Sequence, residues 1–81
     1  MNIHYMGDSF LQRLGQNIKR ERLARGLSQE ELAARAGMHR TYVGAVERGE
    51  RNISVVSLLR LAMALDVRVT NLTRNIDPGR P

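Results

Sequence analysis

Arg40, Thr41, Gly44, Ala45 and Arg48 fall on one side of a short helical stretch, with Val43 and Val46 on the other. That side is small and polar, with an arginine at each end. A guanidinium is a planar donor fork that matches phosphate oxygens and the guanine edge. A small, polar helix face of this kind fits the major groove of DNA. The chemistry implied is hydrogen bonding to a polyanion.

Bond-making chemistry finds little support. There are no cysteines, and the two histidines, His4 and His39, are far apart in sequence. No His/Asp/Glu set has metal-ligand spacing. Ser9, Ser28, Ser54 and Ser57 read as caps or surface positions. The seven glycines read as helix stops and surface positions, with no glycine-rich phosphate loop. No enzyme activity, cofactor or metal is expected. His39 reads as a turn or cap residue.

The elements that must position that face follow from the pattern around it. Counting Gln29 as the first position, alanine falls at the fifth (Ala33) and glycine at the ninth (Gly37). Small aliphatic residues fall at the fifteenth (Val43) and eighteenth (Val46). Two helices crossing at a wide angle leave room only for a small side chain, which Ala33 supplies. The turn between them needs a positive φ, which Gly37 adopts without steric cost.

A first helix is expected from about Phe10, capped by Asp8 or Ser9, with Phe10, Leu11, Leu14, Ile18 and Leu23 at helical spacing and Gly26 as its stop. Ser28-Gln29-Glu30-Glu31 is a capping box for the second, which buries Leu32, Ala33 and Ala36. The third runs from about Arg40 to Arg48, the fourth from a Ser54 cap to about Leu65, and a short fifth covers Val69 to Arg74. Residues 1–8 read as a loose arm, 9–75 as one all-α domain of five short helices, and 76–81 as a disordered tail.

The chain has 81 residues and a formal net charge of +5, with Lys19 its one lysine. A basic balance in a small domain favours a polyanionic partner. No apolar run approaches a membrane span, and Met1 to Asp8 lacks the pattern of a secretory signal. A cytoplasmic location is expected, with no membrane association; the short capped helices are unlike a single amphipathic surface helix.

Leu27-Ser28-Gln29-Glu30-Glu31-Leu32-Ala33 and Val46-Glu47-Arg48-Gly49 resemble the Cro/CI/Xre-type helix-turn-helix family over roughly residues 10–73. More narrowly, Arg40-Thr41-Tyr42-Val43 and Glu47-Arg48-Gly49-Glu50-Arg51-Asn52-Ile53-Ser54 resemble controller proteins of restriction–modification systems. The resemblance implies a compact lambda-repressor-like domain. It implies that Arg40 and Thr41 touch base edges, with Gly44 and Ala45 offering van der Waals contact one turn later. Ser28, Gln29, Tyr42, Arg48, Arg51 and Asn52 match positions that contact the DNA backbone. Arg22 and Glu47 match a salt bridge joining the first and third helices. Glu30 matches an acidic position through which activators of this type touch RNA polymerase.

The fourth helix carries more apolar surface than one core needs. Val55, Leu58, Ala62 and Leu65, with Leu61, read as the core stripe, and Val56, Leu59 and Met63 as a second stripe. Burial against a symmetry mate, on a two-fold operator, would cover the second; the alternative is that the last helix folds over it. The function implied is a homodimeric transcriptional regulator on a pseudo-palindromic double-stranded DNA operator, with a controller acting on its own promoter as the narrower reading. The alternative is an antitoxin-type interaction module that neutralises a toxin and binds DNA secondarily.

Overall fold

The computed structural model describes residues 3–77. Five helices follow in order: α1 (Ile3–Ala24), α2 (Gln29–Ala36), α3 (Arg40–Glu47), α4 (Val55–Leu65) and α5 (Val69–Leu72). No strand occurs among the described residues. The all-helical architecture is the expected one.

Local chemistry sets the boundaries of the middle helices. Ser28 Oγ accepts from the Glu31 amide, and Glu31 Oε1 accepts from the Ser28 amide, each at 2.9 Å. α2 ends at Gly37, left-handed at φ 69°, and the Met38 amide donates back to Ala33 O at 2.8 Å. Ser54 Oγ caps α4 by accepting from the Ser57 amide at 3.0 Å. Asp66 closes α4 in the left-handed region at φ 56°, and the next residue, Val67, packs on the core.

α2 packs on α3 and α4, while α1 lies across α3 and α5. Ile18, Leu32, Val43, Val46, Leu61, Leu65 and Leu72 are the largest fully buried side chains at the centre. Ala33, the small residue expected where the helices cross, is buried.

Several expectations are corrected. α1 starts at Ile3, not near Phe10, so Asp8 and Ser9 lie within the helix. Gly7, Asp8 and Ser9 are weak helix formers, but no proline breaks the run and propensity alone does not stop it. At the other end, Ile76 is half-buried against the core, and of the expected tail residues 78–81 lie outside the described ones. Leu23 and Val55 are 57% and 71% exposed, so neither serves this chain's own core. α5 stops at Leu72, two residues earlier than expected.

Gly15 and Gly44, read as surface positions, are both buried. A Cβ on Gly15 would sit 2.4 Å from the carbonyl oxygens of Val46 and Glu47. α1 therefore touches the last turn of α3 backbone to backbone, a contact that any side chain would push apart.

Candidate nucleic-acid interface

α3 is held by its buried face and presents the other. Val43 and Val46 are buried to 0% and 2% exposure, whereas Arg40, Thr41 and Arg48 are exposed and Ala45 is half-buried. With Gln29 and Gly44, the three exposed residues line a shallow cavity of about 250 Å³ between the start of α2 and the outer face of α3. Gly44 forms its floor: a Cβ there would lie 3.2 Å from Arg48 Nη1 and 3.3 Å from Gln29 Oε1. Gly44 thus does not stand out from the face as expected. It lies beneath two longer side chains.

Behind the face sits a buried polar junction. Arg22 donates through Nε to Glu47 Oε2 at 2.7 Å and through Nη2 to Glu47 Oε1 at 3.0 Å. Its Nη1 donates to Leu27 O at 2.8 Å. Gln29 Nε2 donates to Glu47 Oε1 at 2.9 Å. One carboxylate therefore ties α1, the start of α2 and the end of α3 together. No described buried side-chain nitrogen or oxygen lacks a partner, which is the condition under which a buried ion pair is tolerated.

The junction changes what the start of α2 offers. Ser28 Oγ accepts from the Glu31 amide in the capping box, and one Gln29 Nε2–H is given to Glu47. What remains for an anion is the second Gln29 Nε2–H and the unpaired backbone amides of the first turn, at the positive end of the helix dipole. The Glu31 carboxyl in that turn is held below the usual carboxylate range, first by the Ser28 amide and then by the Ser28 side chain.

Around the rim, the Arg51 guanidinium stands 5.2 Å from the centroid of the Tyr42 ring. Tyr42 is half-buried, packed on the core; Arg51 and Asn52 are exposed. Arg48 Nε pairs with Glu50 Oε2 at 3.1 Å, with both side chains more than half exposed. Such a pair holds weakly and leaves Arg48 free to re-aim. Val56, Leu59 and Met63 lie on α4, outside this cavity, at 61%, 45% and 80% exposure. α5 does not cover them.

One functional feature escaped the sequence pattern. Asn17 is 3% exposed, and its Nδ2 donates to Leu72 O at 2.9 Å and to Arg74 O at 2.8 Å. It fastens the end of α5 to α1. Its position, three after Leu14 and beside Ile18, was the available signal. His39, expected as a turn or cap residue, caps α3 by accepting from the Thr41 amide, and its ring also meets the Thr41 hydroxyl.

Residues 18–72 match the helix-turn-helix family profile. The chain is 48% identical over 59 residues to the control protein C.SmaI of Serratia marcescens, spanning 73% of this chain and 70% of that one. It is 39% identical over 59 residues to the control protein C.BamHI of Bacillus amyloliquefaciens, spanning 72% and 73%. The restriction–modification controller protein C.AhdI of Aeromonas hydrophila has a similar crystal structure. It superposes with a TM-score of 0.76 at 52% identity, covering 76% of this chain and 94% of that one.

Proposed function

This chain belongs to the helix-turn-helix family, and we propose that it is a transcriptional regulator of the controller type, binding a pseudo-palindromic operator at its own promoter as a homodimer. One observation carries the reading: Arg40, Thr41 and Arg48 share an exposed α3 face that the Arg22–Glu47–Gln29 junction holds rigidly to the core. Control proteins among the relatives support the promoter role, and none of the similarities favours the antitoxin reading. Arg40 and Thr41 read bases, Ala45 and the floor at Gly44 admit the base edges closely, and Tyr42, Arg48, Arg51, Asn52 and the first-turn amides of Gln29 and Glu30 grip phosphates.

The test is a binding titration of wild type and Arg40→Ala against singly substituted operators at fixed salt. Arg40→Ala is expected to lose about 1–3 kcal/mol on the best operator and to flatten preference at one symmetric pair of positions. Unchanged base preference would remove Arg40, and with it the proposed docking of α3, from the groove.

Glu30 is exposed beside this face, and as an activator the protein would offer it to RNA polymerase. Glu30→Lys is then expected to abolish activation in an in vitro transcription assay while operator affinity is retained. Activation that survives the change assigns Glu30 to helix-dipole stabilisation alone.

A further inference from the structure

Histidine is not among the favoured N-cap residues, yet His39 caps the helix that carries the reading face. Its Nδ1 lies 3.2 Å from the Thr41 amide nitrogen and 2.8 Å from Thr41 Oγ1. The first contact fixes the polarity of the second. A backbone amide only donates, so Nδ1 is an acceptor and the ring proton sits on Nε2. The hydroxyl must therefore also donate to Nδ1. Thr41 Oγ1 is left with lone pairs alone, on an exposed residue that lines the cavity with Arg40 and Arg48. A free surface hydroxyl turns to suit either a donor or an acceptor; this one is committed.

Building on the operator-binding role, we propose that His39 is a positioning residue that makes Thr41 a one-way reader: the Thr41 hydroxyl accepts from an exocyclic amino group, adenine N6 or cytosine N4, and rejects the acceptor edges of guanine and thymine. Phosphate oxygens also only accept, so the same polarity directs Thr41 to a base and away from the backbone. Arg40 is a pure donor and reads acceptors. Adjacent residues thus read opposite polarities, which distinguishes base steps that two donors would confuse.

The experiment is a titration of the full chain against singly substituted operators at fixed salt, for wild type, Thr41→Val, His39→Ala and His39→Asn. Thr41→Val keeps the shape and drops the hydroxyl, so it locates the position that Thr41 reads. There, wild type is expected to lose about fivefold to tenfold, the size of one net hydrogen bond, when the amino group alone is removed by placing purine for adenine or 2-pyrimidinone for cytosine. His39→Ala is expected to flatten the same position alone, because the released hydroxyl donates as readily as it accepts. His39→Asn is expected to restore the preference, its carbonyl receiving both the Thr41 amide and the hydroxyl. A purely structural cap would instead weaken every operator alike. The proposal is overturned if His39→Ala keeps the wild-type preference, or if the position found with Thr41→Val tolerates loss of its amino group and instead requires guanine O6 or thymine O4. Should His39→Ala lose its helical circular dichroism, the wild-type and Thr41→Val profiles decide the matter. A wild type that selects no operator overturns the regulator role as well. A wild type with clear preferences, none altered by Thr41→Val, overturns this inference alone.

Discussion

Glu47 is the residue that ties the outer face of α3 to the rest of the molecule from behind. Its side chain is 3% exposed and accepts from Arg22 and Gln29, so three helices share one buried negative charge. The sequence points to the Arg22–Glu47 pair only through family resemblance, because two charges 25 residues apart carry no local signature. It does not reveal that Gln29 joins them. A glutamine opening a capped helix looks solvent-facing, and its inward turn depends on where α3 lands. Removing one partner of such a junction leaves a buried charge uncompensated. Arg22→Ala is expected to lower stability by about 3–5 kcal/mol in urea unfolding. The double change Arg22→Met with Glu47→Leu is expected to recover most of that loss, since apolar groups of similar volume often replace a buried pair at little cost. If Arg22→Ala stays within about 0.5 kcal/mol of wild type, as ordinary surface changes do, the junction is not what fixes α3.

Among the elements, α2, α3 and α4 were legible from local signals: Ser28 and Gly37 bracket α2, His39 and Gly49 flank α3, and Ser54 caps α4, whose apolar pattern runs to Leu65. α1 was not, since its N-terminal signal at Asp8 and Ser9 is local and the helix continues through it to Ile3. Gly15 was misread because a glycine inside a helix looks like a weakness. Its reason is tertiary, the approach of the Val46 and Glu47 carbonyls. The α2 capping box carries a pH dependence of known sign. The hydrogen bonds from Ser28 lower the folded-state pKa of Glu31. Its ionised form therefore favours the folded state above the unfolded-state pKa, and that contribution is lost as pH falls through the lower folded-state value. Glu31→Gln keeps an acceptor and drops the charge. It is expected to be less stable than wild type at neutral pH, with the gap closing on acidification below the usual carboxylate range. Urea midpoints measured across that range check the sign; a gap that widens on acidification would contradict it.

At the scale of the whole molecule, one surface is left over after the core and the reading face are accounted for. Val55, Val56, Leu59 and Met63 stand 71%, 61%, 45% and 80% exposed along one side of α4. Val55 was expected inside, and its exposure enlarges the second apolar stripe beyond the three residues that patterning singled out. α5 is spent on α1 and α4, where Leu72 is fully buried and Asn17 holds its carbonyl, so it has no reach to cover that side. A contiguous apolar strip of this kind on a small protein marks an interaction surface. The operator-binding role specifies its occupant as a second copy, because a two-fold pair sets two α3 helices against half-sites about one DNA turn apart, roughly 34 Å. The wild type is expected to sediment as a dimer at tens of micromolar, where a standard-size interface holds. Leu59→Asp places a charge at the centre of the strip and is expected to yield a folded monomer. That monomer should keep weak, salt-sensitive affinity for DNA, since the residues proposed to grip phosphates are untouched, while losing the dependence on half-site spacing that only a dimer has. A Leu59→Asp protein that remains dimeric would move the interface off α4. A wild type that stays monomeric at those concentrations would leave the strip without its second copy, and the two-fold operator without its reader.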